Sequence, residues 1–153
     1  MATQDFSHSL PMMLYRALDA VMPRFRRIFN EFGLTEQQWR VLRVLWEHDD
    51  VGFGDLASQT LIPAPSLVGV VDRLSRQGLV ARRRSESDRR SVFVYATAKG
   101  KTLHGKVSPH VNAAYARLRR SVPGPEWERL TDALERLAAL DDSEGADQSA
   151  VNQ

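Results

Sequence analysis

Apolar side chains recur at Leu10, Leu14, Leu18, Val21, Phe25, Ile28 and Phe32, three and four residues apart, which predicts a long amphipathic helix. Pro23 falls inside it, removing a backbone hydrogen bond and crowding the carbonyl of Asp19, so a kink is expected there. Gly33 then offers a left-handed cap. A second helix starts at Leu34-Thr35-Glu36-Gln37-Gln38-Trp39. Thr35 can cap the Gln38 amide, Gln38 can reach back to the Thr35 amide, and Leu34 can pack on Trp39. This helix runs to about His48 with Leu42 and Leu45 inward, and Asp49-Asp50 breaks it. Val51-Gly52-Phe53 can add a short strand and Asp55–Thr60 a short helix.

Leu61–Ala64 reads as a turn. Pro65 suits the first position of the next helix, whose buried stripe is Leu67, Val70, Val71 and Leu74. Ser66, Val68, Gly69, Asp72, Arg73 and Arg76 are left facing outward. Gly78 ends this helix, with Leu79 supplying the apolar contact after the cap. Leu79–Arg84 and Val92–Ala96 read as two strands joined by the polar loop Ser85–Ser91. Thr97 can cap another long helix, striped by Leu103, Val107, Val111, Ala114 and Leu118. Pro123-Gly124-Pro125 breaks it, and a last helix carries Trp127, Leu130, Leu134, Leu137 and, at its end, Leu140. The expected fold is mainly α with a small β-wing. A winged helix-turn-helix spans 34–96, helical dimerisation segments flank it at 1–33 and 97–141, and 142–153 is a disordered polar tail.

Charge sharpens this picture. From Arg73 to Arg90 there are seven arginines against two carboxylates, a local +5 in a chain whose net charge is only +2. From Gly124 to Ala150, eight carboxylates face two arginines, a local −6. The positive charge is thus gathered where a helix and hairpin would meet a phosphate backbone. The apolar stripes of the first and last helices call for partner helices. A two-fold homodimer satisfies them, and its two reading helices match an inverted repeat in double-stranded DNA with half-sites roughly 34–36 Å apart.

Other classes are disfavoured. No apolar run reaches the length of a membrane span, and the start MATQDFSHSL lacks a basic segment followed by an apolar stretch, so a cytoplasmic location is expected. Cysteine is absent, which removes disulfides, thiolate metal sites and thiol redox sensing. His8, His48, His104 and His110 show no metal-binding spacing. There is no phosphate-binding glycine loop, nucleophile elbow or Cys/His pair. No enzymatic activity, metal or cofactor is expected.

Three motifs carry a resemblance. Asp88-Arg89-Arg90 before Val92 is similar to a D-x-R wing signature. Arg73-Leu74 through Gly78-Leu79-Val80 is similar to an R-L-x-x-x-G-L-V helix end, and Thr97-Ala98-Lys99-Gly100 to a T-x-K/E-G helix start. Over Leu10 to about Leu140 the chain resembles the MarR-type transcriptional regulators. Leu34–Leu45, with Leu14-Tyr15-Arg16-Ala17 upstream, looks like the branch controlling homoprotocatechuate and related aromatic-acid catabolism. That likeness implies a repressor released by a small aromatic carboxylate.

The candidate DNA-binding residues are Pro65, Ser66, Val68, Gly69 and Arg73 on the helix, and Arg84, Asp88, Arg89 and Arg90 in the hairpin. The resemblance implies that Arg90 enters the minor groove, held by Asp88, where a narrow groove concentrates negative potential. The plainer reading is an exposed loop ion pair of little weight. Ser66 and the helix N-terminus can bind phosphate, and Val68 and Gly69 are small enough for close approach. Arg73 can reach a guanine edge or a phosphate, or pair with a nearby acid. Asp72 and Arg76 can pair along the helix. Arg82, Arg83 and Arg84 alternate in direction along a strand, so at least one makes no DNA contact.

The candidate ligand-binding residues are His8, Arg16, Trp39, Arg40 and Arg43. Trp39, Arg43 and Trp46 share a helix face, placing a guanidinium between two rings, which is what an aromatic carboxylate requires. Packing on Leu34 is an alternative role for Trp39, and a core position for Trp46. Two rivals to a ligand-controlled regulator stay open: an effector-independent DNA-binding or architectural protein, and a helical adaptor whose basic hairpin binds an acidic partner.

Overall fold

Thr35 and Gln38 cap one another as their spacing predicts: the Gln38 amide donates to Thr35 Oγ1 at 3.1 Å and the Thr35 amide to Gln38 Oε1 at 2.9 Å. The computed structural model describes residues 5–140, so the tail expected at 142–153 lies outside the described residues. In chain order the elements are α1 (Leu10–Glu31), α2 (Glu36–Glu47), β1 (Val51–Gly52), α3 (Phe53–Thr60), α4 (Ala64–Arg76), β2 (Val80–Arg84), β3 (Val92–Ala96), α5 (Ala98–Arg120) and α6 (Gly124–Ala138). A 3₁₀ turn at Phe6–His8 precedes them. The chain divides between Ala114 and Tyr115 into two compact units.

α1 runs unbroken through Pro23, which is exposed, so water can take the carbonyl that the ring leaves without a donor. Gly33, at φ +69°, ends the helix where a left-handed residue is needed. α3 begins two residues before the predicted start. The β1 ladder stops at Gly52, paired with Phe93, which frees Phe53 to open the helix. Leu61 follows α3 in the left-handed region at φ +53°, where a side chain crowds the backbone.

α4 buries Leu67, Val70, Val71 and Leu74, the four residues its periodicity selects. Pro65 occupies the second helical position rather than the first, because Ala64 already follows the Pro63 cap. At the other end Gly78 adopts φ +71°. The Leu79 amide is taken by the Leu74 carbonyl at 3.0 Å, so strand β2 starts one residue later than predicted. The sheet has the order β1-β3-β2 and is antiparallel throughout. Val51, Val80 and Val94 join Phe29, Val41, Leu42, Leu45, Leu56 and the α4 stripe in one core. Full burial of such side chains is worth about 1.5–3 kcal/mol each.

The start of α5 is bolted to the end of α4. Thr97 Oγ1 accepts from the Gly100 amide at 3.2 Å, capping α5, and the same hydroxyl donates to the Gly78 carbonyl at 2.6 Å. The Lys99 ammonium donates to the Gln77 carbonyl at 2.7 Å. From α2, the Trp46 indole N–H donates to the Gly100 carbonyl at 3.0 Å. Gly100 is required here by space: a Cβ would stand 2.2 Å from the Leu79 carbonyl oxygen.

In the second unit, the end of α5 and α6 meet around Trp127. Tyr115 packs edge-on against its ring at 5.7 Å, and the Arg119 guanidinium lies over it at 5.1 Å. Leu130, Leu134 and Leu137 of α6 are exposed, and the helix has no buried side chain among the described residues.

Gly100→Ala forces the Leu79 backbone to move. It is expected to cost about 1–3 kcal/mol of stability, read as a lower urea midpoint at unchanged m-value. A midpoint equal to that of the native protein would show that the Leu79 carbonyl yields freely.

Candidate nucleic-acid interface

α4 turns one face to the core and the other to solvent, a consequence of its apolar spacing. Pro65, Ser66, Val68 and Arg73 are exposed, and Gly69 is half-buried. A Cβ on Gly69 would meet only the Arg73 guanidinium, at an ordinary 3.6 Å. Among the described residues nothing therefore requires a glycine in mid-helix, where it is costly relative to alanine.

Seven residues, Ser85 to Ser91, link β2 to β3, and their backbone is organised by short polar side chains. The Ser85 amide donates to the Ser91 carbonyl at 2.9 Å, closing the loop. Ser85 Oγ accepts from the amides of Ser87 and Asp88, both at 3.3 Å. Asp88 Oδ1 accepts from the Arg90 amide at 3.0 Å, and Oδ2 from the Ser91 hydroxyl at 2.9 Å. Those two donors, the Arg90 amide foremost, hold the Asp88 carboxyl below the usual carboxylate range. Asp88 thus holds Arg90 through its backbone, which leaves the guanidinium uncommitted. Arg90 and Ser91 also line a surface depression of about 410 Å³ with Phe53, Asp55, Val92 and Phe93.

The arginine cluster splits into two kinds. Arg82 pairs with Asp72 of α4 at 2.6 Å. Arg83 makes two bonds to Asp50, Nε–Oδ1 at 3.2 Å and Nη2–Oδ2 at 2.8 Å, and lies over the Phe93 ring at 5.2 Å. This pairing pulls the Asp50 carboxyl below, and pushes the Arg83 guanidinium above, their ordinary values. The expected Asp72–Arg76 pair does not form: Arg76 reaches the Asp72 backbone carbonyl, at 3.5 Å, while Arg82 takes the carboxylate. Arg73, Arg84, Arg89 and Arg90 are exposed, with no ion-pair partner among the described residues.

The ligand candidates fall into separate groups. The Arg16 guanidinium, on α1, donates to the Ser7 carbonyl at 3.2 Å, and His8 Nδ1 lies 3.1 Å from Asp5 Oδ2, so both side chains engage the N-terminal turn. Trp39 stacks on Phe29 at 4.7 Å and meets Trp46 edge-on at 5.5 Å, which adds ring partners to the Leu34 packing its spacing predicts. Trp46 in turn packs on His104 at 4.6 Å. Arg43 is exposed and paired with Glu47. Arg40 Nη1 donates to the Thr60 carbonyl at 2.9 Å, tying α2 to the end of α3, while its Nε is buried with no partner among the described residues. The roles of Asp50, Asp72 and Phe93 in the hairpin's electrostatics had no local signal in the sequence, since each acts on a residue ten or more positions away.

No described helix is long and apolar enough to cross a membrane. The profile of the MarR family matches residues 34–92. The chain is 35% identical over 143 residues to the HTH-type transcriptional regulator FarR of Neisseria gonorrhoeae, covering 94% of this chain and 98% of that protein. It is 34% identical over 145 residues to the homoprotocatechuate degradative operon repressor of Escherichia coli, covering 95% and 98%. Its fold superposes on the crystal structure of NadR in complex with 4-hydroxyphenylacetate with a TM-score of 0.78 at 36% identity, covering 92% of this chain and all of that one. The chain belongs to the MarR family of transcriptional regulators, and its winged helix is a DNA-binding element.

Proposed function

We propose that this chain is a repressor that grips an inverted-repeat operator as a homodimer and lets go when a small aromatic carboxylate binds. The observation that carries this reading is the set of cations left uncommitted, Arg84, Arg89 and Arg90 on the wing and Arg73 on the outward face of α4. Each can replace a counterion on a phosphate or enter a groove. Pro65, Ser66, Val68 and Gly69 let the helix approach base edges closely, while Asp88 shapes the wing tip.

Exposed leucines support the dimer. Leu10, Leu14 and Leu18 of α1 and Leu130, Leu134 and Leu137 of α6 all face solvent in the single chain, and stripes of this kind seek another helix. An effector acts only through different affinity for two states. Here it favours a half-site spacing that B-DNA does not offer. Trp39 and Arg43 on α2, with Arg16 and His8, are the side chains suited to an aromatic acid, supplying a ring to stack on and cations for its carboxylate. Arg40, committed to Thr60, is not among them. The effector class agrees with the 4-hydroxyphenylacetate in the NadR complex and with the name of the Escherichia coli relative. Such a regulator works in the cytoplasm.

The DNA reading is tested on a duplex that the protein selects from a random-sequence pool. Arg90→Ala should weaken binding and make the plot of log affinity against log salt less steep by about one unit per engaged wing. Unchanged affinity would take the wing tip out of the interface. Gly69→Ala should separate stability from binding, raising the unfolding free energy by about 0.5–1 kcal/mol while lowering affinity for the same duplex. If affinity is retained, close approach at that position is wrong. Hydroxylated phenylacetates, benzoates and pyridine carboxylates, titrated one by one, should include at least one that raises the thermal midpoint and releases the duplex. A silent panel leaves a DNA-binding protein without this effector, and failure to select any duplex favours the adaptor reading.

A further inference from the structure

We infer that Asp50 and Arg83 form a clamp across the sheet that aims the wing, so that Arg83 positions the DNA-binding hairpin and does not itself contact phosphate. Arg83 sits on β2, opposite Phe93 of the central strand β3. Phe93 is in turn paired with Gly52 of β1, and Asp50 is the residue just before β1. The Arg83 side chain therefore crosses the face of β3, over the Phe93 ring, to reach a carboxylate on the far side. The Arg83–Asp50 pair thus links β2, across β3, to the residue that leads into β1.

The hairpin needs such a tie. β2 and β3 are five residues each, β1 only two, and a small two-stranded ribbon is marginal in water by itself. Two parallel N–H···O bonds to one carboxylate fix direction as well as distance, which a single contact would not. Side chains alternate along a strand, so Arg82 leaves from the opposite face and ties the same hairpin to Asp72 of α4. Arg84, the next residue, has no carboxylate partner among the described residues. Phe93, whose ring lies under Arg83, also lines the depression that Arg90 lines. The base of the wing is thereby held from both faces, and the free cations lie beyond it.

Asp50→Asn makes a sharp test because field and geometry predict opposite signs. Removing a carboxylate makes the protein more positive, which by field alone strengthens binding to DNA. A loosened wing weakens it. With the duplex selected by the native protein, Asp50→Asn should lower affinity about fivefold, in the range of one ordinary ion-pair contact. Arg83→Gln should lower it by a similar factor with the salt slope unchanged, unlike the flattening expected of a phosphate contact. The exchanged pair Asp50→Arg with Arg83→Asp should recover most of the loss. Amide hydrogen exchange at Ser85 and Ser91 should quicken in Asp50→Asn while α2 stays protected, which reads wing order separately from overall folding. Binding by Asp50→Asn equal to or tighter than native, or a salt slope reduced by about one in Arg83→Gln, would overturn the clamp.

Discussion

The Leu79 carbonyl stands where a side chain at position 100 would begin, 2.2 Å from an added Cβ, and this close approach governs the arrangement of four elements. It lets the first turn of α5 lie against the end of α4 and the start of β2. Three hydrogen bonds then exploit the proximity: Thr97 to Gly78, Lys99 to Gln77 and Trp46 to Gly100. The Gln77 and Gly78 carbonyls belong to the end of α4, where they would otherwise be left unpaired, while the Gly100 carbonyl that Trp46 engages lies in the first turn of α5. A closely packed joint has few intermediate positions, so the end of α4 and the first turn of α5 fix one another's placement. For a MarR-family regulator with a DNA-binding winged helix, this makes the direction of α4 a property of the packed unit.

Electrostatics divides labour on top of that frame. A cluster of like charges within a few residues repels itself, and the structure relieves it by assigning Asp72 and Asp50 to Arg82 and Arg83. Both pairs are exposed, and such pairs add little to global stability. Their consequence is directional: they decide which guanidinium groups stay available and where those groups point. Asp88 does the same for the loop, spending its oxygens on an amide and a hydroxyl instead of neutralising Arg90. A carboxylate placed in a cationic wing can thus shape the wing without cancelling its charge.

Much of the fold was legible in the residues. The Thr35–Gln38 cap, the four buried positions of α4, the left-handed glycines at 33 and 78, and strand β3 all form where spacing and residue type put them. The misses are local contests that a tertiary partner decided. Phe53 has strand character, yet the β1 ladder runs out at Gly52 and the residue opens a helix. Leu79 has strand character too, but its amide is claimed by the helix cap. The candidate site was legible as a charge density and not as a set of roles. Arg83 and Asp50 are 33 positions apart, and no periodicity links them. Likewise Arg40 reads as one more cation on α2 until the end of α3 arrives beside it.

What the chain determined by itself was its helices and most of their ends, the apolar face of each, and the concentration of arginine on one hairpin. These depend on neighbours within about four residues, where hydrogen bonding and side-chain packing act whatever the rest of the molecule does. What only the tertiary structure decided was which arginines are spent and which are free, and which rings stack on Trp39 and Trp46. Hydrogen-bonded ion pairs and ring contacts form only between groups a few ångströms apart, so they are set by closeness in space, and packing alone brings distant segments that near.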